Sequence, residues 1–149
     1  MKESSFWTRR IRRLLVLAAG CADKDIHVER IENAVAVGTP DVDYCIGGRC
    51  GKIELKYRPH HPSRAGTPVL GTGRGMRKSQ IVWAVRRIRA DGAVFLCIGT
   101  CVMTWFIDLR ILDARGMLAL ETYSVEKLSS ICVWHTGMPY DELAWSLCA

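Results

Sequence analysis

No part of this chain is suited to crossing a bilayer. The apolar piece Leu14 to Ala19 falls far short of the roughly 20 residues a spanning helix needs. Arginines 9, 10, 12 and 13 stand ahead of that piece as they would in a secretory signal. The run is shorter than a signal core, however, and Ala22 is followed at once by Asp23-Lys24-Asp25. A cytoplasmic protein without membrane contact is therefore expected. Paired Cys-x-x-Cys knuckles are also missing, so the seven irregularly spaced cysteines do not predict a structural zinc site. The one zinc set that could be offered, Cys97 and Cys101 with His135, does not have the spacing of such a site. The cysteines read as reduced and buried. Internal repeats and low-complexity tracts are lacking too, and 149 residues with 49% hydrophobic content suit one folded domain. Gly71-x-Gly73-x-Gly75 has no strand ahead of it at the distance a dinucleotide site requires. No organic cofactor is expected.

The most telling absence is of acid. From Leu55 to Ala90 there is no aspartate or glutamate, while Lys56, Arg58, Arg64, Arg74, Arg77, Lys78, Arg86, Arg87 and Arg89 all fall there. Residues 1–90 hold 18 Lys/Arg against 8 Asp/Glu, a balance of +10, and residues 91–149 hold 3 against 7, a balance of −4. A chain polarised in this way meets an anionic partner with one side, and nucleic acid is the commonest such partner.

What is present reads as alternating helices and strands. Apolar residues at three- and four-residue steps predict a helix over 6–19, with Gly20 as its stop and arginines on its outer face. Branched residues predict a first strand over 26–37. Two further runs, 42–46 and 52–57, form a hairpin about Gly47-Gly48. Residues 59–78, rich in proline and glycine, read as a mobile flap beside it. A helix over 79–90 and strands over 93–98 and 102–107 come next. In the tail, a short helix near 125–129, a strand near 131–135 and a helix at 140–147 are expected. The order predicts an α/β fold, a mixed β-sheet flanked by helices.

The chain is organised around GTPDVDYCIGGRCGKIELKYR, residues 38–58. Thirteen positions separate Asp41 from Glu54, a gap that a hairpin fits, and strand alternation turns Glu54 and Lys56 to one face and Leu55 to the other. Asp41 and Glu54, with the Leu55 carbonyl, are the kind of open oxygen set that takes Mg2+, for which Mn2+ would substitute. Lys56 on the same face could orient or deprotonate a water and stabilise charge on a phosphate. Asp43 shares that face as a solvated strand residue. His60 and His61 read as flap residues, and the five tryptophans as core.

Taken together, Gly-Thr-Pro-Asp, the Gly-Gly turn, Lys-Ile-Glu-Leu-Lys, and Gln80 three residues before Trp83 in a helix that ends Asp-Gly resemble the PD-(D/E)XK nuclease superfamily. They look most like its VRR-NUC branch, whose stand-alone phage and bacterial members are similar to Holliday-junction resolvases. The resemblance covers about residues 3–100, within a nuclease core of residues 1–100, and leaves 101–149 as an extension of the same domain that could form a dimer or partner surface. It implies a restriction-endonuclease-like fold and a magnesium-dependent endonuclease that hydrolyses DNA, branched DNA included. A cytoplasmic location would be the host's if a phage encodes the chain. Asp41 and Glu54 match the metal-binding acids, Lys56 the catalytic lysine, and Gln80 the glutamine opening the next helix. Glu3 matches a glutamate of the first helix, with Glu32 as its rival. Arg9, Arg10, Arg13, Arg58, Arg64, Arg74, Arg77 and Lys78 are then the expected DNA contacts. Resolving a four-way junction takes two active sites, so a homodimer is expected. The alternatives are a non-catalytic nucleic-acid-binding module on this fold and an RNA-directed nuclease.

Overall fold

The computed structural model describes residues 2–32 and 36–149. Its centre is a six-stranded sheet in the order β1 (Ile26–Arg30), β2 (Val42–Ile46), β3 (Arg49–Tyr57), β4 (Ala93–Gly99), β5 (Thr104–Asp108) and β6 (Trp134–His135). Only β3 and β4 run parallel, and every other pair is antiparallel. A parallel pair needs a long crossover, which residues 58–92 supply through helix α3 (Lys78–Arg89). The sequence of β4, AVFLCIG, is apolar on both faces because both are covered.

On one face lies a long helical run made of α1 (Glu3–Phe6), a π-helical turn (Trp7–Ile11) and α2 (Arg12–Cys21), together with the C-terminal α6 (Tyr140–Cys148). Phe6, Trp7, Ile11, Leu15 and Ala18 meet Val42, Ile53, Leu55, Phe95 and Cys97 there. The Tyr44 hydroxyl donates to the Leu147 carbonyl at 3.0 Å and ties the hairpin to α6. On the other face Ile81 and Ala84 of α3, and residues of α4 (Ala114–Ala119) and α5 (Val125–Ile131), cover Val94, Leu96, Ile98, Trp105 and Ile107. Each face is set by period-two alternation, so a one-residue slip of β3 would turn Glu54 and Lys56 into the first core and Ile53 and Leu55 out of it.

Several local expectations change. The first helix starts at Glu3 and runs through Gly20 to Cys21, since packing against the sheet outweighs the modest cost of one interior glycine. Strand β1 ends at Arg30, and residues 33–35 of the expected strand lie outside the described residues. The helix α4 and the 3-10 turns Leu109–Ile111 and Leu120–Thr122 were not anticipated.

The expected flap over 59–78 is packed down. Val69, Leu70 and Met76 are buried in the second core, and Val69 and Gly71 donate backbone N–H groups to the carbonyls of Tyr123 and Glu121 at 2.9 and 3.0 Å. The Glu121 carboxylate accepts the Gly73 N–H at 3.0 Å. An acid of the tail thus serves the stretch that has none.

The cysteines also differ from expectation in one place. Cys45 and Cys50 stand opposite each other across the β2–β3 turn and form a disulfide, while the other five are free. Among the described residues no helix is long and apolar enough to cross a membrane.

At Gly99 the first helix lies close against the sheet. A Cβ there would overlap the Phe6 ring, which packs on Tyr57 with ring centroids 4.9 Å apart. Gly99→Ala should therefore cost about 1–3 kcal/mol by overpacking, read by urea denaturation, with part of the loss recovered by adding Phe6→Leu. An unchanged midpoint would show that the helix start is not seated on the strand. Separately, replacing Cys45 and Cys50 by serine should cost about 2 kcal/mol, the loop-closure contribution of so short a link. Equal stability of the oxidised and double-serine proteins would show that the link adds nothing.

Candidate active site

Strands β2 and β3 pair so that Val42 faces Ile53. One step further along the same register brings Asp41 opposite Glu54, at the open end of the hairpin. Val42 and Ile53 point into the first core, so Asp41 and Glu54 turn to the opposite face, with Lys56 two residues on. Asp41 is held from both sides: its carbonyl accepts the Ile31 N–H at 2.7 Å, and its Oδ2 accepts the Leu55 N–H at 3.0 Å. Gly38, three residues earlier, adopts φ +87°, and a side chain there would collide with the Ser79 carbonyl at the start of α3. The Gly-Thr-Pro-Asp segment is thereby pressed against the helix that carries Gln80.

Gln80 joins the elements. Its Oε1 accepts the backbone N–H of Arg77 at 2.8 Å and the Lys56 ammonium at 3.1 Å, while its Nε2 donates to Glu54 Oε1. Lys56 Nζ also pairs with Glu54 Oε1 at 3.0 Å. Glu54 is only 2% exposed, and its second oxygen, Oε2, is buried without a hydrogen-bond partner among the described residues. Burial pushes the Glu54 carboxyl up to about 7. Lys56 opposes that shift, while Asp41 and Glu3 add to it.

Glu3 sits at the start of α1, and its carboxyl is also raised, by burial and by Asp41, against Lys56, Arg30 and Arg77. Its rival Glu32 is exposed. Asp43 is half-buried and paired with Lys52 at 2.8 Å. Arg30, at the end of β1, was not among the residues expected at the site, and its charge acts on the Glu3 carboxyl. Among the described residues no three His, Cys, Asp or Glu side chains form a group that could hold a metal ion, the set Cys97, Cys101 and His135 included. The fit to a divalent cation rests on hard oxygens and on the orphaned Oε2 of a buried carboxylate, which needs a positive partner.

The expected DNA contacts separate into kinds. Arg9, Arg13, Arg64, Arg74, Arg77 and Lys78 are exposed. Arg10 is spent within the fold: it donates to the carbonyls of Thr100 and Cys101 at 2.5 and 3.4 Å and stacks over Phe6 at 5.6 Å. Arg58 is half-buried. His61 is anchored, with its Nδ1 2.9 Å from Thr100 Oγ1 and its ring stacked on Trp105.

The Glu54 shift has a definite sign. With its value raised from 4.5 to about 7, the folded chain holds a proton between those pH values that the unfolded chain has released. The stability associated with this group is full below pH 4.5 and falls as pH rises through 7. In the presence of a chelator, wild type should lose on the order of 2–3 kcal/mol relative to Glu54→Gln between pH 4.5 and 8. Parallel urea-denaturation profiles for the two proteins would show that the carboxyl is not buried as described.

No family model matches the chain, and no curated protein matches it. Among solved structures it is similar to Archaeoglobus fulgidus Hjc, a Holliday junction resolvase from an archaeal hyperthermophile, with a TM-score of 0.56 and 14% identity over 94% of this chain and 99% of that one. At this identity the likeness is one of fold, a mixed sheet with flanking helices.

Proposed function

We propose that this chain is a metal-dependent endonuclease of the PD-(D/E)XK type, VRR-NUC-like, hydrolysing DNA phosphodiester bonds and acting on branched or junction DNA. The observation that carries the reading is the meeting of Asp41, Glu54, Lys56 and Gln80 at one end of the hairpin, with a buried carboxylate oxygen left over. The resolvase fold of the solved neighbour supports it. Asp41, Glu54 and the Leu55 carbonyl would hold Mg2+, or Mn2+ in its place. Such an ion, when bound, relieves charge on the phosphate and acidifies water. Glu3 stands where it would assist from the first helix.

The chain's own groups do the rest. Gln80 and Glu54 fix the Lys56 ammonium from two sides. A lysine so held orients the attacking water and meets the charge that develops on the phosphate oxygens. The exposed arginines on the first helix and around residues 64–78 hold the backbone without reading bases. Cutting both strands of a junction calls for two such sites, hence a homodimer. On this reading residues 1–149 form one nuclease domain.

Purified protein incubated with plasmid, single-stranded and four-way-junction DNA should cleave with Mg2+ or Mn2+ and not with EDTA. Glu54→Ala and Lys56→Ala should each lower the rate at least a hundredfold, as the loss of a group that stabilises the transition state does, while DNA affinity stays within a few-fold. Absence of metal-dependent cleavage of all three substrates would sink the proposal. Cleavage of RNA alone would correct the substrate.

A further inference from the structure

Arg58 differs from every other cation of the acid-free stretch. It follows β3 directly, and its backbone N–H donates to the Gly99 carbonyl at 2.8 Å, extending the β3–β4 ladder. Tyr57 packs on Phe6 on the helix-α1 face, so alternation turns Arg58 to the face of Glu54 and Lys56. Among the described residues its buried Nε and Nη1 meet no acceptor and the side chain forms no ion pair. A buried donor left in that condition keeps an uncompensated desolvation cost, larger when the group is charged. The chain offers little remedy nearby. No acid lies between Leu55 and Ala90, Glu54 is engaged by Lys56 and Gln80, and Glu121 holds Gly73. The backbone on both sides is fastened, by β3 before it and by His61 on Thr100 and Trp105 after it. A guanidinium suits phosphate because its planar fork matches two oxygens. Since the resting side chain already carries unsatisfied donors, turning to such a ligand forfeits little.

We propose that Arg58 takes the phosphate next to the one cleaved, so that the substrate strand runs along the row Glu54, Lys56, Arg58. Same-face residues of a strand stand about 6.6–6.8 Å apart, which spreads the row along the chain instead of around one ion. This rests on the nuclease reading and gives Arg58 a role in positioning the strand, separate from the exposed arginines that add affinity.

The test compares wild type with Arg58→Met, and with Arg58→Gln as a second variant in case methionine disturbs folding. Urea denaturation should find the variant at least as stable, because two unpaired donors leave with the side chain. Inorganic phosphate should raise the melting temperature of wild type more than that of the variant. In a Glu54→Gln background with EDTA, DNA affinity should fall about tenfold, as expected for a lost charged hydrogen bond. The slope of log affinity against log salt should become shallower by about 0.7–0.9, one phosphate contact. Equal phosphate responses, equal salt slopes, or a variant that is markedly less stable would each overturn the assignment and make Arg58 a structural residue. An Arg58-dependent phosphate response in a protein that cleaves nothing would overturn the nuclease reading and retain the anion site.

Discussion

The hydrogen bond from Gln80 to Glu54 is the contact on which the site depends. A carboxylate at 2% exposure has left water, and it persists only where the protein supplies donors. Gln80 is one of those donors, Lys56 is the other, and the glutamine accepts from that same lysine. Because Gln80 belongs to the first turn of α3, this small triangle fastens the crossover helix to the strand it crosses from. It also leaves one oxygen of Glu54 without a partner. The site is assembled well enough to hold its charges, and on the metal-site reading the oxygen left over is the atom a cation would meet.

Much of this was legible because a hairpin's register is symmetric about its turn. Once Gly47-Gly48 is taken as the turn, Asp41 and Glu54 must face each other, and alternation places Lys56 beside them. The same symmetry sets Cys45 against Cys50, so the disulfide was implied by the register although the composition argued for free thiols. Gln80 was reached through the resemblance alone. Nothing in a glutamine's local sequence reveals that both ends of its amide will be used.

Other features stayed hidden for physical reasons. Val69 and Leu70 stand between proline and glycine and look like loop, and their partners lie some 50 residues on, in a tail whose own helix Ala114–Ala119 is too short to show a period. Arg10 and Arg58 read like any other arginine, and only burial separates one that is spent inside the fold from one that has no partner there.

The π-helical turn at Trp7–Ile11 bears on the site from a distance. An α-helix advances by about 100° per residue, and a π turn accommodates one residue more. Everything ahead of it is therefore rotated relative to α2 by roughly that angle. The offset lets Phe6 and Trp7 share a buried face with Ile11 and Leu15, and it delivers Glu3 to the edge where Asp41 lies. In this helix the number of residues matters as much as their kind. Removing one between Trp7 and Ile11 would leave the composition almost unchanged and carry the first carboxylate a third of a turn away from the other two.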